Sequence, residues 1–481
     1  MFSFKKLSKS CIMAGLFFYG AWAQIGQDAL IAREDVGGNF SDFNHGSTVA
    51  ETKNGVLVIA WYGGRSEGSS STRIWVSCKE NSSGNWSDGV AVDVNGEDGS
   101  SCWNPVLFQP EKDGAPLLLY YKYGGNPNTW KGVVRTSTDD GLTWSDRTLL
   151  PDCSNPYPLC NQYGNFGGPA KDKPLELPDG SLLLGGSTEE NAFVGWSVHV
   201  EKTSNYIDDL VFVQEIDNNV PPEKIGTDDW VDWGCIQPFF LPHDGNCQTI
   251  QIIARTVKRG ANTSFSYDGG QTWTPMMDSA LILSPNNEDP RDFPSNQGFD
   301  GVRLPNGHFF TIYSDHGRRE IAGAISGDGL HWEEVIEIEL VDWNRDSRYC
   351  DYPSVIAGSD NMLHCSYGFE KNGKIIYSKI DWQQFDYSAV AVGKRPISAA
   401  PAGKSGFTDK DKSWFSAAGR QDIFSYLQKN DFLLYSLDGQ CINSAGLENG
   451  IFSRRYLPRG LYLAKKKGEA SVNTLVKITI Q

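Results

Sequence analysis

Apolar residues in this chain come in short runs rich in Val, Ile, Leu, Phe and Tyr, and the runs are punctuated by Asp-Gly and Asn-Gly dipeptides. β-Branched and aromatic side chains suit a pleated strand, and Asn or Asp before Gly supplies the backbone of a tight turn. The pattern predicts strands joined by hairpins. One unit, strand, turn, strand, recurs as GSTVAETKNGVLVIAWYG, NPVLFQPEKDGAPLLLYYKYG, KPLELPDGSLLLGGSTE, QPFFLPHDGNCQTIQIIAR, DGVRLPNGHFFTIYSD and, with a looser turn, YPSVIAGSDNMLHCSYG. A single unit cannot bury both faces of its sheet, so the units must stack around an axis as blades. The expectation is an all-β chain whose main body is a six-bladed β-propeller.

Further short strands lie between these units, and several end in one loop: STDDGLTW at 137–144, SYDGGQTW at 266–273 and SGDGLHW at 326–332, with a weaker copy, NSSGNW, at 81–86. From Ser388 to Lys412 the alternation is lost and Ala, Pro, Gly, Ser and Lys accumulate, which reads as a linker. Beyond it, DFLLYSLDGQCI, RGLYLAKKK and NTLVKITIQ predict a small C-terminal β-sandwich. At the other end, Lys5, Lys6 and Lys9 precede an apolar run from Cys11 to Trp22 and the small-x-small triplet Ala21, Trp22, Ala23. That order predicts a signal peptide, and the run is short of the roughly 20 residues that span a bilayer. The expected organisation is a signal peptide over 1–23, the propeller over 24–387, the linker over 388–412 and the accessory domain over 413–481. The mature chain is expected to be secreted or held at the cell surface.

Composition narrows the partners. A net charge of −16 argues against a nucleic-acid backbone or an anionic membrane, both of which call for a basic surface. Any positive site is therefore local. Ten cysteines fall to nine once Cys11 leaves with the signal peptide, and Cys153 and Cys160, flanking SNPYPL, are the expected disulfide. No CxxC or His spacing suggests zinc, and no cofactor or metal is called for.

The loops STDDGLTW, SYDGGQTW and SGDGLHW resemble the Asp-box repeats of the sialidase-like propeller superfamily. WYGGRSEG, CWNPVLF, GPAKDKPLELPDG, NQGFDGVRLPNG and YPSVI extend the resemblance over roughly residues 30–385, toward a bacterial branch described as sialidase-family BNR-repeat proteins. The resemblance implies that each box Asp caps turn amides and each box Trp packs beneath the next strand, as scaffold. The C-terminal tail resembles the sorting domains of proteins exported across a bacterial outer membrane, which implies bacterial secretion machinery as a partner.

In a propeller the innermost strands line a channel, and ligands bind at its mouth. Aligning the six units places His45, Asn104, Lys171, Gln237, Asp300 and Tyr352 at equivalent entry positions, and Arg65 with Glu67, Lys122, Glu189, Arg255 and Arg318 at the ends of the second strands. Four cations, Arg65, Lys122, Arg255 and Arg318, thus converge in an acidic protein and predict a pocket for a carboxylate. Lys171 and Gln237 join them as substrate-binding candidates. One or two of Trp61, Trp103, Trp130, Trp196 and Trp233 are expected to stack on sugar faces.

Members of the superfamily hold a substrate carboxylate with three arginines, attack with a tyrosine activated by a glutamate, and use an aspartate as acid/base. Here Arg255 resembles the second arginine, Arg318 or Arg319 the third, and Tyr349 or Tyr352 the tyrosine. The first arginine is replaced in Phe43, Asn44, His45, Gly46; Ser70 and Ser71 stand where the aspartate is expected; and Gln237 with Pro238 stands where the glutamate is expected. An amide cannot activate a phenol. Glu189, Asp300 and Glu67 remain as carboxylates for glycoside hydrolysis, while His45 with Tyr352 forms a constellation suited to proton abstraction in a uronate lyase. The expectation is a glycoside hydrolase acting on a terminal acidic sugar, with Asp300 and Glu189 as acid/base candidates. The alternatives are a non-catalytic propeller that binds acidic glycans and a polysaccharide lyase.

Overall fold

The computed structural model describes residues 26–36, 41–80, 84–93, 100–125, 127, 130–151, 167–189, 196–220, 233–256, 261–278, 297–315, 318–341, 349–370, 373–388 and 390, with the backbone of 432–435, 460–466 and 476–480. The expected signal peptide, the expected Cys153–Cys160 disulfide and almost all of the expected linker lie outside the described residues.

Six four-stranded antiparallel sheets form the body. Their innermost strands are Phe43–Glu51, Cys102–Phe108, Leu175–Glu176, Cys235–Pro242, Phe299–Arg303 and Asp351–Ala357, which define blades one to six in chain order. Strand order within blades one to five follows the chain outward. Blade six is completed differently: its outer strand is Leu30–Asp35 from the start of the body, paired antiparallel with Lys374–Ile380. The ring is thus closed by the two ends of one chain.

The apolar runs are continuous rather than strictly alternating because both faces of each blade are covered. Along Leu117–Tyr123, Leu117 and Leu119 enter the seam with blade one, while Leu118 and Tyr120 enter the seam with blade three. Ile252 and Ile253 divide in the same way between the seams with blades three and five. The remaining seams hold Phe310, Ile312 and Val355 between blades five and six, and Ile59, Trp61 and Tyr377 between six and one. Every sheet face is therefore buried only if its neighbours are present.

The three repeated loops share one hydrogen-bond plan. Asp139 accepts from Thr143 N–H at 2.9 Å, Asp268 from Thr272 N–H at 2.9 Å and Asp328 from His331 N–H at 2.8 Å. In each, the Trp indole N–H returns to the loop glycine: Trp144 to Gly141 O, Trp273 to Gly270 O and Trp332 to Gly329 O. The aspartate caps the turn and the indole fastens it to the strands, as scaffold. In the expected C-terminal sandwich, the described backbone forms one three-stranded antiparallel sheet, Phe432–Tyr435, Gly460–Lys466 and Val476–Ile480. No helix among the described residues is long and apolar enough to cross a membrane.

Ring closure carries an ionic fastening that can be tested. Lys79 of blade one is 1% exposed and donates to both carboxylate oxygens of Glu34 on the closing strand, at 2.8 and 2.6 Å. Trp86 Nε1 donates to the same carboxylate at 3.0 Å. Glu34→Ala strands a buried ammonium and is expected to cost about 3 kcal/mol in denaturant unfolding. The double variant Glu34→Leu, Lys79→Met removes the charge as well and is expected to regain most of that loss. Equal destabilisation by both variants would show that strand packing, not the buried charge, dominates closure.

Candidate active site at the mouth of the channel

Four blades enter the channel through the same backbone device. The pairing register of the inner strand breaks between His45 and Thr48, Trp103 and Val106, Ile236 and Phe239, and Asp351 and Ser354. Within each break one residue adopts positive φ: Gly46 at 57°, Asn104 at 44°, Gln237 at 55° and Tyr352 at 47°. Such bulges re-aim a side chain at a sheet's end. The structural equivalent of Asn104, Gln237 and Tyr352 in blade one is therefore Gly46, and His45 is equivalent to Asp351. The sequence alignment that equated His45 with Tyr352 slips by one residue, because a bulge adds a residue without changing the apolar pattern.

Tyr352 is the centre of the mouth. Its phenolic oxygen accepts from Arg255 Nη1 at 2.7 Å and faces Gln237 Nε2 at 3.5 Å, while Gln237 Oε1 accepts from Arg255 Nη1 at 2.9 Å. Arg255 also lies over the Trp196 ring at 5.5 Å, and Arg318 lies over the Tyr352 ring at 5.7 Å. Arg318 is fixed in the plane by Gln297 Oε1 at 2.8 Å and Asp351 Oδ2 at 2.9 Å. His45 packs against the phenol ring, ring centroids 4.3 Å apart, with Nδ1 3.1 Å from Asp351 Oδ1. His45, Gln237, Arg255, Arg318 and Tyr352, from blades one, four, five and six, are thus one contiguous group.

Glu189 reaches the same group from blade three. Its Oε1 is shielded from water and has no hydrogen-bond partner. Burial pushes its carboxyl up to about 7, opposed by the positive charge of Arg255 and Lys122 and reinforced by the negative charge of Glu67. Glu67, exposed at the rim in blade one, accepts a hydrogen bond from Tyr62 OH at 2.8 Å. Two carboxyl groups, one shielded and one exposed, therefore flank the mouth.

Three predicted residues are engaged within the walls. Asp300 is 0% exposed and bonded on both oxygens: Oδ1 accepts from Lys173 Nζ at 2.6 Å and Gly301 N–H at 2.7 Å, and Oδ2 from Val355 N–H at 2.9 Å and Ser354 Oγ at 3.1 Å. Lys171 crosses the channel floor, donating to Asp172 Oδ1 at 2.7 Å and to the carbonyls of Phe299 and Pro353 at 2.8 Å each. Lys122 donates to the carbonyls of Gly167 and Gly168 at 2.8 and 2.9 Å. Burial lowers the Lys122 ammonium and raises the neighbouring Glu201 carboxyl. Arg65 stands apart, exposed at the rim, its backbone N–H bonded to Ser71 Oγ at 3.0 Å. Sequence reasoning passed over Lys173, Asp172 and Glu201: Lys173 meets Asp300 on blade five, Asp172 pairs with the adjacent Lys171, and Glu201 accepts from Gly168 N–H, while Trp196, expected as a sugar-stacking candidate, lies against Arg255.

Among the described residues no cluster of His, Cys, Asp and Glu has the arrangement of a metal site. Six blades, the capped Asp loops and a mouth of arginine and tyrosine define a propeller of the sialidase-like superfamily. A family model described as "BNR repeat-like domain" matches residues 55–365. The chain belongs to that family. No curated protein matches it. Among solved structures it is similar to NanB sialidase from Streptococcus pneumoniae, at 10% identity and a TM-score of 0.54 over 74% of this chain and 71% of that one. It is similar to Trypanosoma rangeli sialidase in complex with the inhibitor DANA, at 12% identity and 0.54, covering 70% of this chain and 55% of that one. A protein of unknown function from Dyadobacter fermentans aligns at 14% identity and 0.53, over 73% and 98%. These likenesses show the fold.

The raised Glu189 carboxyl has a measurable consequence for stability. In the unfolded chain it loses its proton near the ordinary glutamate value, but in the fold it holds it up to about 7. Its contribution is therefore fully present at acid pH and is lost as pH rises toward 7, by up to about 3 kcal/mol. Glu189→Gln removes that dependence. Denaturant unfolding at pH 4 and pH 8 should show the variant gaining on the parent at the higher pH, and parallel curves would place Glu189 in contact with water.

Proposed function

We propose that this protein is a secreted glycoside hydrolase that removes a terminal acidic sugar from a glycan or polysaccharide. The observation that carries the reading is Glu189: a carboxyl with one oxygen shielded and unpartnered, protonated up to about 7, beside Arg255 in the mouth. Arg255 and Arg318 bind the sugar carboxylate. Their faces are covered by Trp196 and Tyr352, which shields the pair from water and strengthens charge-assisted bonds. Glu189 donates its proton to the glycosidic oxygen as the sugar–oxygen bond breaks, and Glu67, held by Tyr62, serves as the second carboxylate. In this reading Asp300, Lys171 and Lys122 are fastenings of the blades, and Gln237 orients Arg255 rather than activating Tyr352. The N-terminal segment supports export and the C-terminal tail supports recognition by bacterial secretion machinery.

One observation favours a second reading. Tyr352 is hydrogen-bonded by Arg255 and packed against His45, the set a lyase uses to neutralise a uronate carboxylate and remove the adjacent proton. The products separate the two. Hydrolysis adds water across the bond; elimination leaves a conjugated double bond and adds none.

Digestion of 4-methylumbelliferyl glycosides of N-acetylneuraminic and glucuronic acids, and of uronate-containing polysaccharide, in heavy-oxygen water should label the released sugar without growth of ultraviolet alkene absorbance. Glu189→Gln should lower kcat by about a hundredfold or more, and turnover should be lost as pH rises through about 7, where Glu189 gives up its proton. Alkene absorbance that survives Glu189→Gln but disappears in His45→Ala or Tyr352→Phe would assign the protein to the lyases. Arg255→Ala should weaken an acidic sugar far more than its methyl ester; equal loss for both would make Arg255 structural.

A further inference from the structure

Of the four left-handed bulge positions at the mouth, two are already occupied: Gln237 and Tyr352 bond to Arg255. Gly46 carries no side chain, and a Cβ there would stand 2.6 Å from Tyr62 Cε1 and 3.7 Å from Asn104 Oδ1. The remaining position is Asn104. It is 5% exposed, yet its carboxamide forms no hydrogen bond with any described residue, and neither of its polar atoms is among those sealed from solvent without a partner. A nearly buried amide with no protein partner and with access to the mouth faces whatever fills the mouth.

The surrounding chain holds it there. Trp103 Nε1 donates to Gly124 O at 2.9 Å, and its ring packs between Tyr62 and Trp130, at 6.1 and 5.4 Å. Pro105 disfavours the right-handed helical state for Asn104. Blade order sets the direction. Blade two lies between blade one, which supplies Glu67, and blade three, which supplies Glu189, and it faces blade five with Arg318 across the ring. A sugar whose carboxylate is held by Arg255 and Arg318 presents the side opposite its carboxylate to blade two.

We infer that Asn104 is a specificity-determining residue that hydrogen-bonds a neutral polar substituent, a ring hydroxyl or acylamino group, of an acidic monosaccharide on the side opposite its carboxylate. The inference rests on the mouth being the sugar site of the proposed function. A carboxamide supplies both an acceptor and donors, so it suits a hydroxyl or an amide and attracts a second carboxylate less than an ammonium would. A site built to bond such a group rejects an analogue lacking it, because the amide is then left unpaired.

Asn104→Gly is the informative variant, since glycine accepts a φ of 44° without a steric penalty. Calorimetric titration of N-acetylneuraminic acid and of glucuronic acid into the full mature chain should show binding of at least one acid weakened about tenfold in Asn104→Gly, the loss of one hydrogen bond, with Tm unchanged. A deoxy analogue of that sugar should lose affinity in the parent and little more in the variant. Binding within twofold of the parent, or a fall in Tm that accounts for weaker binding, would overturn the inference. If Glu189→Gln retains full turnover while Asn104→Gly still loses affinity, the hydrolase mechanism fails and the subsite stands. If Glu189→Gln is inactive while Asn104→Gly binds and turns over as the parent does, the subsite fails and the mechanism stands. A parent chain that binds neither acid overturns both.

Discussion

Everything at the channel mouth depends on the pairing of Leu30–Asp35 with Lys374–Ile380. Each blade has two apolar faces, and neither is covered by anything except the next blade, so an open arc of five or six sheets would leave two whole faces in water. Closing the ring removes both at once. The closing strand contributes little apolar surface of its own, with a burial pattern that alternates between exposed and half-buried, and it acts instead by fixing distance. Once the ends meet, six entry points stand around one axis, and residues as remote as His45 and Tyr352 come to 4.3 Å between rings. The site is a property of the closed ring rather than of any blade.

Within that ring, the bulges solve a local problem that regular strands cannot. Side chains of a strand point alternately into the two seams, so none is directed along the axis. A left-handed residue at the strand's entrance turns one side chain out of that alternation and toward the mouth. Proline follows it in three of the four cases, Pro105, Pro238 and Pro353, where no ladder hydrogen bond is donated and none is lost. Blade three lacks the device. Its inner strand is only Leu175–Glu176, and the preceding Lys171 runs across the floor to blades five and six. That crossing ties blade three to the carbonyls of Phe299 and Pro353 on the two blades that follow blade four.

The parts legible in the sequence are those with a local signature. Hairpin units and Asp loops announce the blades because a turn needs its Asp and Gly whatever surrounds it. Gln237 and Tyr352 were legible as mouth residues because they stand at matched strand entrances of the repeat, and Arg255, Arg318 and Glu189 because they stand at or just after the ends of the second strands at matched places. What lacked a local signature was the division of labour among charges. Asp300 sits in an apolar run and looks reactive, yet its four bonds come from residues 127 positions before it at Lys173 and up to 55 after it at Val355. Lys173 and Asp172 adjoin Lys171 in sequence, and nothing in their spacing tells which lysine crosses the floor and which meets a carboxylate on another blade. The one-residue slip at His45 has the same origin, since a bulge is invisible to a period-two pattern.

The electrostatics of the mouth then follow from shielding more than from charge count. The chain is strongly acidic as a whole, and Arg318 even pairs with Asp351. The guanidinium faces lie against Tyr352 and Trp196, so water is kept from the faces while the planar edges remain the hydrogen-bonding directions. The same exclusion of water acts on Glu189 with opposite effect, holding a proton on its carboxyl up to about 7. A single physical cause, low solvent access beside aromatic side chains, thus accounts both for the strength of the arginine contacts and for the proton held by Glu189. Had the mouth been open to water, the arginines would be screened and the Glu189 carboxyl would titrate near the ordinary glutamate value.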